Sequence, residues 1–232
     1  MSALSFPLVC LPFAGSGAGF YRAWCKRPDL GVTVLPVQLP GREELFSEEP
    51  FTDVAEASAK LAPQVAEITA GIARFGLFGH SLGAVLSYEI ARELVRLGHP
   101  GLAHLYVSGS PGPHVGRDDR ATGLDDEGFL ERVEEFAGYR HEAFDNADLR
   151  DLLLPSLRAD VAMHENYKPS SNEPLDIPVT SLRGVDDTLV TREDAQQWRE
   201  VTRGTFSYRE LPGGHMYLTD GPDALLRALG RG

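Results

Sequence analysis

The sequence predicts an α/β protein in which a mostly parallel central sheet is flanked by helices, and three observations carry that expectation. Short runs rich in Val, Leu and Phe alternate with stretches of helical periodicity, the pattern of a parallel sheet covered on both faces. A Gly79-His80-Ser81-Leu82-Gly83 turn joins one apolar run to the helical stretch after it. From about 115 to 167 the alternation stops and only helical patterns remain, so residues 1–232 read as one domain with an all-helical insertion between two strands.

Taken in order, strands are expected at Leu8 to Leu11, Val32 to Val37, Phe75 to Phe78, Leu105 to Ser108, Val179 to Leu182 and Phe206 to Leu211. The helical patterns between them run from Val54 to Ala70, Leu82 to Leu97, Arg192 to Val201 and Ala224 to Leu229. The insertion offers two amphipathic patterns, Asp125 to Phe136 and Ala147 to Asn166, the second expected to break at Pro155. Asp125 suits an N-cap, and Gly138 with Tyr139 suits a helix end followed by a loop. Such an insertion above the strand ends serves as a lid or chamber wall, or as an extra packing layer.

Composition excludes several classes of function. The net charge of -12 lacks the clustered Lys and Arg that neutralise phosphates, so no nucleic-acid partner is expected. No stretch approaches the roughly 20 apolar residues that span a bilayer, and residues 1–6 carry no charged leader, so a soluble cytoplasmic protein is expected. Cys10 and Cys25 form neither a disulfide framework nor a metal site at this spacing, and both are expected in or near the core.

The chemistry centres on Ser81. A G-x-S-x-G turn between strand and helix forces its serine into a strained backbone, and the two glycines let strand and helix approach without Cβ clashes. The hydroxyl then stands at the positive end of the helix, with the Leu82 N–H aimed where a substrate carbonyl oxygen becomes an anion. That context predicts a serine hydrolase of the α/β-hydrolase fold, in which the acid and the base follow the serine in chain order. His215, in Pro212-Gly213-Gly214-His215-Met216 after the last strand, is the expected base. His104 abuts a strand start, His99 and His114 sit in loops, and His141 and His164 belong to the insertion. His80 is expected to pack or hydrogen-bond rather than act as the base.

Two carboxylates compete to orient the imidazole in the loop after Val179 to Leu182, and the usual Gly-x-x-Asp turn length favours Asp187 over Asp186. A second oxyanion donor is expected from the small loop Leu11-Pro12-Phe13-Ala14-Gly15, as the N–H of Phe13 or Ala14. That loop does not present G-x-G-x-x-G, and no acidic ribose ligand ends the second strand, which argues against a dinucleotide site. Phe20, Tyr21 and Trp24 are expected to pack on the sheet, with Phe20 or Tyr21 also candidates for the chamber mouth. Arg42 is read as a loop arginine paired with Glu43 or a nearby carboxylate in preference to a phosphate contact, and Arg158 with Asp160 as an ion pair anchoring the insertion.

The chain resembles the stand-alone type II thioesterases of polyketide synthase and nonribosomal peptide synthetase systems. The resemblance runs nearly end to end, through Gly79 to Gly83, Leu11 to Gly15, Leu39-Pro40-Gly41-Arg42-Glu43, Leu157-Arg158-Ala159-Asp160, Gly184 to Asp187, Trp198 and Gly213-Gly214-His215. It implies hydrolysis of acyl thioesters on the phosphopantetheine arm of acyl or peptidyl carrier proteins, clearing aberrant or stalled acyl groups with no metal or organic cofactor, by a monomeric enzyme. It also implies a mobile helical lid at the insertion and the orienting carboxylate at Asp187. One departure is that Phe136-Ala137-Gly138-Tyr139-Arg140 lacks a Gly-Gly-Thr-Pro-like turn. The competing readings are a small-molecule carboxylesterase or lipase with the same three residues, separable by substrate preference alone, and a catalytically silent binding protein, against which all three residues argue.

Overall fold

The computed structural model describes residues 5–116, 120–137, 142–219 and 221–230. Its strands are β1 (Phe6–Leu11), β2 (Val32–Pro36), β3 (Phe75–His80), β4 (Leu102–Ser108), β5 (Val179–Gly184) and β6 (Phe206–Leu211). They pair in the order β2-β1-β3-β4-β5-β6, every neighbouring pair parallel. Alternate residues of each inner strand point to opposite faces: Val9 and Leu11 join one core, Leu8 and Cys10 the other. The same split separates Leu77 from Phe78 and Val107 from Tyr106. Burial on both faces is why these strands read as near-continuous apolar runs.

The helices are α1 (Arg22–Cys25), α2 (Val54–Ile68), α3 (Leu82–Arg96), α4 (Asp126–Ala137), α5 (Ala147–Glu165), α6 (Arg192–Gln196) and α7 (Asp223–Leu229). Helices α2 and α3 cover one face through Leu61, Val65, Leu86 and Ile90. Trp24 of α1 and Leu225, Leu226 and Leu229 of α7 cover the other. Both helices of the insertion, α4 and α5, lie between β4 and β5 in the chain and share a small core of their own: Ala121, Phe129, Leu130, Leu154, Leu157 and Val161. Asp125 caps α4 as expected, its Oδ1 accepting the Gly128 N–H at 2.9 Å. The expected helix end at Gly138 and Tyr139, and most of the departing segment Phe136 to Arg140, lie outside the described residues.

Three expectations are corrected. Helix α5 runs unbroken through Pro155. Its proline removes one backbone donor, and burial of Leu154, Leu157 and Val161 on one side holds the helix together across it. The segment expected as one helix from Arg192 to Val201 tightens after α6 into a 3₁₀ turn, Gln197–Val201, which places Trp198 and Val201 three apart on one line and buries both in the core. Cys25 is exposed, because Trp24 occupies the inward face of the four-residue α1, whereas Cys10 is buried as expected. Among the described residues no helix is long and apolar enough to cross a membrane.

Candidate active site

Strand β3 ends at His80 and α3 begins at Leu82, so Ser81 alone makes the turn, with φ 52° and ψ -115°. A non-glycine residue in that region carries strain of about 1–3 kcal/mol and persists only where its surroundings over-determine it. Here they do. The Ser81 N–H donates to the Ser108 carbonyl at 2.8 Å, and the Ser81 carbonyl accepts from Ala84 N at 3.0 Å. A Cβ on Gly79 would lie 1.8 Å from the Gly83 carbonyl oxygen, and one on Gly83 would lie 2.5 Å from that of Leu11. The ends of β1 and β3 and the start of α3 therefore meet backbone to backbone, which is the physical content of both glycines in the motif.

His215 and Asp187 come from the loops after β6 and β5. Asp186 N donates to Gly213 O at 3.0 Å and Val185 N to Leu211 O at 2.8 Å, so the two loops are laced together. Asp187 Oδ2 accepts from His215 Nδ1 at 2.9 Å, and Oδ1 accepts from the N–H groups of Leu189 and Val190 at 2.9 and 3.1 Å. An ionised carboxylate only accepts, so the Asp187 contact keeps the proton on Nδ1 and leaves Nε2 as the basic nitrogen. Burial pushes the Asp187 carboxyl up, but the hydrogen bond and charge of His215 with the two backbone donors outweigh it, and the net is a lowered pKa. Asp186 is exposed, as expected of the carboxylate left over.

Sequence reasoning passed over the residues that brace this pair. Arg183 on β5 donates to the carbonyls of Asp187 and Val190 at 2.7 and 2.9 Å and pairs with Glu210, fixing the loop that presents the carboxylate. An arginine inside an otherwise uncharged strand, four residues before the aspartate, was the available signal. His80 is buried beneath the elbow, its Nδ1 2.8 Å from Ser108 Oγ, which in turn lies 2.6 Å from the Tyr217 hydroxyl. Its ring centre is 4.9 Å from that of His215. Burial, then the neighbouring His215, hold the His80 pKa well below its ordinary value, so it stays neutral and serves as the packing residue anticipated.

Ser81 and His215 line one cavity of about 220 Å³. Phe13, Ala14 and Gly15 form its floor beside them, and Leu130, Val133, Phe136, Leu153, Leu157 and Val161 of the insertion supply apolar wall. Among the described residues neither the Phe13 nor the Ala14 N–H has a protein acceptor. Neither Phe20 nor Tyr21 reaches this cavity; Tyr21 is buried, its hydroxyl donating to Leu11 O at 2.7 Å, and Phe20 stacks edge-on against it. No group of three or more His, Cys, Asp or Glu side chains is arranged to hold a metal among the described residues.

The family profile described as "Thioesterase domain" matches residues 6–231. This chain belongs to the thioesterase family. It is a hydrolase acting on thioesters, of the α/β-hydrolase fold. This thioesterase is similar to a RedJ thioesterase from the prodiginine biosynthetic pathway of Streptomyces coelicolor, at 38% identity over 97% of this chain and 89% of that one, with a TM-score of 0.88. It is 34% identical to the thioesterase PikA5 of Streptomyces venezuelae over 92% of this chain and 75% of the relative. YbtT, a type II thioesterase from the Yersiniabactin NRPS/PKS biosynthetic pathway, superposes with a TM-score of 0.87 at 27% identity, over 100% of this chain and 94% of that one.

Of the two ionic contacts expected of the thioesterase, one is present and one differs. Arg42 pairs with a nearby carboxylate as expected, Asp160 of α5, through a bidentate contact at 2.6 and 2.7 Å. Glu43 turns the other way and accepts the Gly19 N–H. Arg158 pairs with Asp126 of α4 at 2.6 Å and not with Asp160, since residues two apart on a helix point to different faces.

Proposed function

We propose that this enzyme is a type II thioesterase of nonribosomal peptide or polyketide assembly, which removes acyl groups from the phosphopantetheine arm of acyl or peptidyl carrier proteins through an acyl-serine intermediate. The observation that carries the reading is the combination of a strained Ser81 and an Asp187-anchored His215 at the floor of an apolar cavity walled by α4 and α5. The relatives' pathways support the substrate class, and an apolar wall suits an acyl chain.

In this reading the Ser81 hydroxyl attacks the thioester carbonyl while His215 Nε2 takes its proton, and Asp187 stabilises the imidazolium that forms. The N–H of Leu82, which has no partner in its own helix, and that of Phe13 or Ala14 hold the oxyanion. The pantetheine thiolate leaves and takes the proton from His215. Water, deprotonated by the same imidazole, then adds to the acyl-serine, and the acid departs as Ser81 regains its hydrogen. A thioester is an activated acyl group, so discrimination falls to the chamber and the carrier contact. The role that follows is cytoplasmic clearance of misacylated or stalled carriers.

The test is the rate of acid release from a short acyl group on a phosphopantetheinylated carrier protein, beside the matched oxygen ester. Release from the carrier well above the ester rate is expected. Faster ester cleavage with the acyl-carrier left intact would move the function to the carboxylesterases.

A further inference from the structure

We propose that Asp160, held by Arg42, positions the loop that supplies the second oxyanion donor, so that the chamber wall and the alignment of that donor are set by one contact. The proposal rests on the serine-hydrolase reading above and goes beyond it in assigning a role to two residues outside the reacting groups.

Leu157, Asp160, Val161 and His164 lie at i, i+3, i+4 and i+7, on one face of α5. Leu157, Val161 and His164 line the cavity; Asp160 reaches past its edge to the 13–16 loop. Asp160 Oδ2 accepts the Gly15 N–H at 2.8 Å, and Arg42 Nη1, 2.6 Å from the same oxygen, also donates to the Ser16 carbonyl at 2.9 Å. One side of the loop's tip is therefore gripped from α5 and the other by the arginine that α5 holds. The loop's other end is closed internally, with Ser16 N and Oγ donating to the Phe13 carbonyl at 3.0 and 2.8 Å.

Planarity does the rest. The Phe13 carbonyl and the Ala14 N–H belong to one trans peptide unit and point in opposite directions, so fixing the carbonyl fixes the N–H. Between that plane and the Gly15 N–H only the two backbone torsions of Ala14 remain, and Asp160 removes their freedom. Gly15 itself sits at φ 78°, and a Cβ there would lie 3.0 Å from Leu157 Cδ1, so the Leu157 side chain of α5 packs directly on the backbone of the loop. The ion pair is almost fully buried, Asp160 at 1% and Arg42 at 7% exposure. Buried pairs gain little net stability over apolar residues of the same volume, so what this one contributes is geometry.

The experiment compares wild type, Asp160→Asn and the double variant Arg42→Met with Asp160→Leu, on a small acyl thioester. Three quantities are read: kcat and KM, the affinity of an alkyl boronic acid, whose tetrahedral adduct with Ser81 needs the oxyanion donors, and the affinity of the free carboxylic acid product. Asp160→Asn is expected to lower kcat about ten- to hundredfold with KM little changed, and to weaken boronate binding in parallel while product binding holds. Wild-type kcat, or a loss confined to KM, overturns the proposal. If Asp160→Asn unfolds because it strands the Arg42 cation, the double variant, which buries no charge, decides: folded with depressed kcat it supports the role, folded with full kcat it removes it. Ser81→Ala stands as the separate control, since activity retained there would sink the serine reading itself.

Discussion

The sheet and the helical insertion are held by different means. Each strand of the sheet is laddered to its neighbours, and the inner strands carry residues buried between two large cores. Among the described residues the insertion encloses six buried apolar residues of its own and ties α4 to α5 at the surface through Arg158 and Asp126, the latter exposed. Ser81, Asp187 and His215 all stand on the first unit, while most of the chamber's apolar wall belongs to the second. In the proposed mechanism the reacting groups and the acyl wall therefore stand on separate packing units joined through the Arg42–Asp160 contact, and substitutions in the wall need not disturb the reacting groups.

The sharpest way to break that division is on the sheet. Ser81→Ala is expected to cost at least a thousandfold in acid release, on the order of the loss when a nucleophile is removed from such a site, with the melting temperature little changed because alanine keeps the strained Cβ. A change in unfolding as large as the change in rate would show that the elbow is not separable from the fold. Next comes the carboxylate: Asp187→Asn should lower kcat by about three orders of magnitude, whereas exposed Asp186→Asn should stay near wild type. The reverse ranking in the same assay would move the orienting role by one residue.

On the insertion, Leu130→Ala enlarges the chamber and opens the small core together. It should destabilise by about 2–4 kcal/mol in denaturant melts and raise the relative kcat/KM for longer or branched acyl groups by about tenfold, without lowering kcat for the best substrate. A fall in kcat for every acyl group alike would mean that the apolar wall, beyond the Asp160 contact, also sets reactivity. The smallest effect concerns pH. His80 has a folded pKa below its unfolded value of about 6.5, so the unfolded chain binds the extra proton first, and stability is complete above that pH and falls as pH drops below it. His80→Asn should flatten that acid-side decline by at most about 1.4 kcal/mol per pH unit, read from melts between neutral pH and pH 5. An unaltered slope would assign the decline to other groups.

What could be read in the sequence divides along the same line. The strands and the elbow announce themselves because their causes are local: burial on both faces, a strand-turn-helix context and glycines forced by close backbone approach. His215 and Asp187 follow from chain order once the elbow is known. The insertion is less transparent. Pro155 reads as a break, but the helix persists because packing on one side outweighs a lost hydrogen bond. The Arg42–Asp160 pair joins residues 118 apart, and nothing in either segment names the other. Arg183 was visible as an oddity in β5, yet its two carbonyl partners exist only once the loop is folded.

The contact between Gly79, Gly83 and the end of β1 bears on how such a protein can change over generations. Where main chain meets main chain at this distance, no substitution that adds even one carbon is neutral, so drift has no small steps available beneath Ser81. The opposite wall, built from interchangeable apolar side chains, offers many. A lineage in search of new acyl substrates would thus wander across α4 and α5 while the three-way junction stays as it is.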